Sequence, residues 1–461
     1  MSEIICTSPI DGSIYQARET YAATKIDAAI ANARIAQKEW ANVDVATRAK
    51  IVFEFKEAML SMATDMIPEI AWQMGRPVRY GGEFGPLAAR VDFMSKYAVD
   101  FLSPIIPPDE MAGIERFIER DPLGIVFTIA PWNYPYLTAV NSIIPALIAG
   151  NAVILKHAAQ TILVGDRFQA AFDKTGLPKN LFQTLVLSHD DTSRIIESNL
   201  VDLVCFTGST SAGQVIERAG AGTFTNIGLE LGGKDPAYVR ADANLEHAIE
   251  NLADGAFYNS GQCCCGIERI YVHESLYDKF VDGIQAVASK YVLGNPLDDA
   301  TTLGPMAQAK TADIVRAQIS HAVSNGAKAL VDVNAFKADK GHGNYLAPQV
   351  LVDVDHSMSV MRDESFGPVV GIMKVSSDDE AIHLMNDSNY GLTAAIWTSD
   401  VDAAKRIGKQ VETGTVFMNR CDYLDPALAW TGVKDTGRGA TLSKIGYEML
   451  TRPKSYHLRS L

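Results

Sequence analysis

Apolar positions recur every three or four residues from 24 to 60: Ile26, Ala29, Ile30, Ala33 and Ala36 form one stripe, and Val52, Phe55 and Met59 continue it. That period predicts helices with one buried face. Breakers follow at Gly81-Gly82, Ser103-Pro104 and Pro107-Pro108. Arg116-Phe117-Ile118-Glu119-Arg120 has the pattern of an exposed strand, ended by Asp121-Pro122-Leu123-Gly124. Beyond this point short apolar runs at 125–130, 152–156 and 203–206 alternate with helical stretches at 142–148, 162–174 and 211–219. Alternation at this spacing predicts an α/β fold built on a doubly wound parallel sheet. It resumes at 267–285 and continues to about 418, enough for a second α/β domain, and Ser455-Tyr456-His457-Leu458 alternates like a final strand.

A chain of 461 residues exceeds one ordinary core, so two or three domains are expected. With 47% hydrophobic and 21% charged residues the composition is globular and not disordered. The formal net charge of −14 repels a phosphate backbone or an anionic bilayer, which excludes nucleic-acid and membrane-surface partners. A small anionic cofactor stays possible, because backbone N–H groups bind one locally. The most apolar stretch, 137–150, is interrupted by Asn141 and Pro145 and is too short to span a bilayer. The first residues lack the basic flank and apolar stretch of a targeting segment. Six Cys, three of them consecutive at 263–265, do not form a disulfide framework in so long a chain, and a reducing cytoplasm is the expected setting.

Four segments carry candidate chemistry. In Asn259-Ser260-Gly261-Gln262-Cys263-Cys264-Cys265 a thiol is either a nucleophile, if its site favours the thiolate, or a small buried hydrophobe. Neither CxxC nor a His at ligand spacing accompanies it, so no metal is expected. In Leu229-Glu230-Leu231-Gly232-Gly233-Lys234 the carboxylate between two leucines is either a buried general base or a strand-end residue paired with Lys234. Phe206-Thr207-Gly208-Ser209-Thr210 joins a predicted strand to a predicted helix, where small residues let a pyrophosphate approach the helix N-terminus, or where Ser209 or Thr210 is an ordinary N-cap. Pro131-Trp132-Asn133-Tyr134-Pro135 follows a strand; its Asn amide suits an oxyanion, and its prolines equally suit a turn.

Together these segments resemble the aldehyde dehydrogenase superfamily from about residue 8 to the C-terminus, most specifically in Glu230-Leu231-Gly232-Gly233 and Gly261-Gln262-Cys263-Cys264. Lys156, Asp363-Glu364-Ser365-Phe366-Gly367-Pro368, Gly432-Val433-Lys434 and Gly437-Arg438 extend the match. The resemblance selects Cys264 as nucleophile, Glu230 as the base that activates water, and Asn133 with the Cys264 N–H as the oxyanion donors. It implies NAD⁺ or NADP⁺ as cofactor, contacted by Lys156, Trp132, Ala159, Thr207, Gly208, Ser209, Leu231, Glu364 and Phe366. It implies a substrate pocket of Leu137, Asn141, Tyr258, Cys263, Cys265, Leu424 and Trp430. It also implies a dinucleotide-binding domain (1–100 and 123–229), a catalytic domain (230–435), and a small β extension (101–122 and 436–461) that pairs subunits into a homodimer or homotetramer.

The chain departs from the family pattern in three places. Many relatives carry Glu three positions after the Lys that Lys156 matches, and that Glu repels the 2′-phosphate of NADP⁺; here Ala159 stands there, which opens the site to NADP⁺ without closing it to NAD⁺. His157, beside Lys156, is expected to be a packing residue. Val186-Leu187-Ser188-His189-Asp190 replaces the usual glycine-rich stretch. Many succinate-semialdehyde enzymes have Arg where this chain has Asn141 and Tyr258, so a short anionic semialdehyde is expected to fit poorly unless Arg420 substitutes, and Tyr258 with Trp430 is expected to form an aromatic wall. Two rival readings are an acylating enzyme that passes the thioester to coenzyme A, which generally lacks the Glu matched by Glu230, and a catalytically silent relative, which would have lost Cys264, Asn133 or Glu230.

Overall fold

The computed structural model describes residues 2–460. The periodic stretch near the N-terminus is two helices, Ala23–Trp40 and Val45–Leu60, because Asp44 accepts from the Thr47 N–H and starts a new helix. Two more, Ala63–Met74 and Phe84–Phe101, complete this layer. Ile26, Ile30, Val52, Phe55 and Met59 lie in the core they share with the first sheet.

That sheet has the order Gly437–Arg438, Asn226–Glu230, Leu203–Thr207, Ile125–Ala130, Ala152–His157, Phe182–Thr184, and all but the first strand run parallel. The chain winds outward from Ile125–Ala130 in one direction and then returns to its other side, so a crevice opens at the strand ends between Ile125–Ala130 and Leu203–Thr207. The helix after Ile125–Ala130 spans Pro135–Ile148 and starts earlier than apolar periodicity indicates. Pro135 occupies its first turn, and the Glu83 carboxylate accepts from the N–H groups of Tyr136 and Leu137. The tract 186–190 has its own local logic: Ser188 caps the helix His189–Glu197.

The second sheet has seven strands in the order Lys328–Ala329, Gln349–Val352, Val369–Val375, Ile267–His273, Asp235–Val239, Thr393–Trp397, Thr415–Met418, parallel except at the first. It has a separate apolar core including Phe257, Ile270, Val350 and Trp397. The exposed strand spans Ile114–Pro122, longer than its alternation indicates, and pairs antiparallel with Thr451–Arg459 to form an isolated two-stranded ribbon. Gly437 and Arg438 do not join this ribbon, as the resemblance had placed them, but pair with Leu229 and Glu230 at the edge of the first sheet. A Cβ at Gly437 would lie 2.2 Å from the Leu229 carbonyl oxygen, so only glycine permits the approach.

Candidate active site

The Cys264 loop follows the helix Leu245–Phe257 and departs from it by three successive left-handed residues, Asn259, Ser260 and Gly261. Two of these are not glycine, so the turn needs support. Asn259 Nδ2 donates to the carbonyls of Gln262 and Asn133, Ser260 Oγ donates to Gly304 O at 2.8 Å, and Gln262 Oε1 accepts from Ala307 N at 2.8 Å. At Gly261 a Cβ would lie 2.2 Å from the Gly367 carbonyl oxygen, and at Gly233 one would lie 2.3 Å from that of Cys264. The glycines of both recognised segments are thus points where backbone meets backbone around the thiols.

All six cysteines are free, and the sulfurs of Cys263, Cys264 and Cys265 lie within 4.8 Å of one another. Cys263 and Cys265 are buried with Trp430, Leu392 and Leu442, and Cys264, Leu424 and Tyr134 pack against that cluster. Hydrogen bonding with Cys263, followed by burial, holds the Cys264 thiol well above its ordinary range. Asn133 is only 4% exposed, and its side-chain amide makes no hydrogen bond among the described residues; neither does the Cys264 N–H. Both donors are free to meet an acceptor supplied from outside.

Glu230 ends the strand Asn226–Glu230. Its partner is not Lys234, whose ammonium pairs instead with Glu268 and reaches Ser365 Oγ at 3.0 Å. Glu230 accepts from Thr441 Oγ1 at 2.6 Å and from Thr207 Oγ1 at 3.1 Å. Burial pushes its carboxyl up, and these two hydrogen bonds draw it part of the way back. A cavity beside it is lined by Thr138, Asn141, Cys205, Thr207 and Thr441. Thr207, expected to face the dinucleotide, therefore has its hydroxyl committed to Glu230. Nothing in the sequence singled out Thr441.

The crevice fits a dinucleotide. Lys156 is buried, with no hydrogen bond or ion pair among the described residues, and burial lowers its ammonium pKa. Ser209 caps the helix Thr210–Gly220, accepting from Ala212 N at 3.3 Å. The Gly208 N–H donates to Glu230 O, and Leu231 packs so closely that a Cβ on Gly213 would lie 2.5 Å from it. Glu364 accepts from Gly233 N at 3.0 Å, and burial, then Glu268, raises its carboxyl to about 7. Trp132 and Phe366 meet edge to face, 5.6 Å between ring centroids. Ala159 opens the short turn Ala159–Thr161 with no charge of its own. His157 is buried and bonded to Pro135 O and Thr161 Oγ1, and burial lowers its pKa to about 4, the state of a neutral packing residue.

The proposed pocket residues do not all share one setting. Leu137 is half-buried, Asn141 lines the Glu230 cavity, and Trp430, Cys263 and Cys265 share the apolar cluster. Tyr258 lies edge-on to Tyr80, 4.9 Å between ring centroids. Arg420 is stacked on Tyr423. The sequence reading missed Arg76, Glu83 and Arg90. Arg76 and Glu83 form a buried ion pair at 2.6 Å, and Arg76 also reaches Asn259 and Asn133. A buried Arg looks like any surface Arg in sequence; only the helical stripe around Leu87, Val91 and Met94 hints that Arg90 faces inward.

The aldehyde dehydrogenase family model matches residues 2–456. Geranial dehydrogenase of Castellaniella defragrans is 34% identical over 439 residues, covering 94% of this chain and 90% of the relative. Among solved structures, succinic semialdehyde dehydrogenase of Streptococcus pyogenes in complex with NADP⁺ superposes with a TM-score of 0.93 at 26% identity, covering 99% of this chain and 100% of that one. Betaine aldehyde dehydrogenase of Staphylococcus aureus in complex with NAD⁺ gives 0.92 at 28%, covering 99% and 91%. No helix among the described residues is long and apolar enough to cross a membrane. With a matching model over nearly its whole length, the chain belongs to the aldehyde dehydrogenase family, the NAD(P)-dependent enzymes that oxidise aldehydes to acids.

Proposed function

We propose that Cys264 carries this oxidation as a covalent thioester that Glu230 opens with water. The observation behind this is the pair of unpartnered donors, the Asn133 amide and the Cys264 N–H, beside a free thiol. Cys264 Sγ adds to the aldehyde carbon, its proton is released to solvent, and the carbonyl oxygen becomes an oxyanion that the two donors hold. Bound NAD(P)⁺ supplies the hydride acceptor. Lys156 and Glu364 would hold the ribose units, Ser209 would face the pyrophosphate, and Trp132 and Phe366 would wall the nicotinamide end. Once the thioester has formed, Glu230 turns away from Thr207 and Thr441 and takes a proton from water as the water attacks. The acid leaves, and the proton returns to the thiol.

Glu230 favours water over coenzyme A as acceptor, and Ala159 favours acceptance of NADP⁺ alongside NAD⁺. In the ribbon, Ile118 is already bridged to Ile105, and the outer edge of Thr451–Arg459 is the one suited to pairing with a second copy, which supports a homodimer or homotetramer; the free thiols fit a cytoplasmic setting. The test is reduction of NAD⁺ and NADP⁺ by a panel of aldehydes without coenzyme A, in wild type and Cys264→Ala. Turnover by the wild type alone supports the reading. Dependence on coenzyme A, or activity in the variant, overturns it.

A further inference from the structure

The buried cations of this molecule divide into two groups. Arg76 is paired with Glu83, and Lys234 with Glu268. Arg48 donates to the carbonyls of Ile148, Val43 and Ala41, and Arg269 to those of Lys234, Leu384 and Met385. Lys156 has no partner among the described residues and stands in the dinucleotide crevice. Arg90 is the other exception, and it stands against Leu137 and Asn141.

Arg90 lies on the helix Phe84–Phe101 and is only 6% exposed. Its Nη1 donates to Leu137 O at 2.6 Å and to Asn141 Oδ1 at 2.8 Å. Its Nε and Nη2 make no hydrogen bond, and no carboxylate lies within ion-pair distance among the described residues. A guanidinium only donates, so the Asn141 oxygen must face it and the Asn141 Nδ2 must point elsewhere. That Nδ2 has no partner among the described residues either, and Asn141 lines the cavity beside Glu230. The nearby anions are already engaged: Glu83 by Arg76 and the first turn of Pro135–Ile148, Glu230 by two threonines. Burial lowers the Arg90 pKa to about 10, opposed by Glu83, Glu230 and the Cys264 and Cys265 thiols, so it remains a cation whose field reaches the nucleophile.

We propose that Arg90, with Asn141 Nδ2, is a specificity-determining residue that receives a carboxylate on the distal end of the aldehyde. Nε is sealed from solvent, so the free donors are Arg90 Nη2 and Asn141 Nδ2, and the two oxygens of a carboxylate can take one each. An uncompensated buried charge is costly, and a substrate anion removes that cost on binding. The missing Arg at 141 and 258 is therefore replaced from another element: the cation reaches position 141 from the helix Phe84–Phe101. This assignment rests on the Cys264 chemistry proposed above.

The experiment compares kcat/KM for 4-oxobutanoate and its methyl ester in wild type, Arg90→Gln and Arg90→Lys. Wild type prefers the acid by at least about 10-fold, the order expected of a charge-assisted hydrogen bond, and Arg90→Gln loses that preference mainly through KM of the acid. Arg90→Lys, which keeps the charge, keeps part of it. A wild-type preference for the ester, or an acid-to-ester ratio unchanged in Arg90→Gln, overturns the proposal. If Arg90→Gln does not fold, the wild-type ratio and its decline in Arg90→Lys decide the matter. Succinate, which cannot react, separates this inference from the catalytic reading: it raises the Tm of Cys264→Ala and fails to do so once Arg90→Gln is added. If neither aldehyde is turned over, the catalytic reading fails while the succinate shift still tests Arg90; absence of that shift in Cys264→Ala rejects the carboxylate site.

Discussion

Arg76 donates through Nη2 to the main-chain carbonyl of Asn133 and through Nε to Asn259 Oδ1 at 3.0 Å, so one buried guanidinium ties the Asn133 loop to the Cys264 loop. Its charge is balanced by Glu83 at 2.6 Å, whose other oxygen accepts from the Tyr136 and Leu137 N–H groups. Arg76→Met leaves Glu83 buried and unpaired, for which a loss of about 3–5 kcal/mol is expected. Arg76→Lys keeps the charge without the fork, so it recovers stability better than kcat. Thermal melts with kcat for one aldehyde check both. Equal recovery of stability and kcat by Lys would show that the fork does not position Asn133.

Gly233 offers a cleaner probe of the same geometry. A methyl group there would sit 2.3 Å from the Cys264 carbonyl oxygen, a backbone atom with no rotamer to change. Gly233→Ala must displace the Cys264 backbone, including the N–H that faces the oxyanion. Loss of one such donor costs roughly 10²–10³ in kcat. Single-turnover rates of nicotinamide reduction test this; a variant that acylates at the wild-type rate would show that the loop gives way without harm.

The fold and the reacting groups were legible in the sequence for different reasons. The buried parallel strands are short apolar runs, so 125–130, 152–156 and 203–206 stood out, while Gly437–Arg438 is too short to carry a pattern and was misplaced. Cys264, Glu230 and Asn133 stood out as candidates because motifs surround them. The residues that hold them were not found, because Arg76, Glu83 and Thr441 lie far away in sequence and have no local signature. Arg90 is hidden in the same way: it arrives beside Asn141 from another helix, 51 residues away in sequence.

The acid limb of kcat should belong to Glu230. As a base it works in its charged form, and burial raises its pKa, so activity falls with decreasing pH at values above the ordinary glutamate pKa of about 4.3. Thr441 donates to Oε1 at 2.6 Å and favours the charged form. Thr441→Val removes that help, raises the carboxyl pKa further and moves the limb to higher pH. Profiles of kcat for wild type and Thr441→Val decide it, with a limb unmoved or moved downward counting against Glu230 as the titrating group. Glu230→Gln should give a burst of about one reduced nicotinamide per subunit and then a steady rate lower by roughly 10²–10⁴.

The last expectation concerns the choice of nicotinamide. Ala159 stands two residues beyond His157 in a turn with no carboxylate of its own, close in sequence to the buried and unpartnered Lys156. A 2′-phosphate placed here meets a cation and no opposing charge. Ala159→Glu introduces a negative charge at that point, and like charges a few ångströms apart repel by more than 1 kcal/mol once partly shielded from water. The KM for NADP⁺ should therefore rise by about 10-fold or more while that for NAD⁺ changes little, and the effect should shrink as salt is added. Parallel titrations of both cofactors at low and high ionic strength check this. An equal rise for both would mean that the new side chain blocks the adenosine itself, and that Ala159 contributes space rather than the absence of charge.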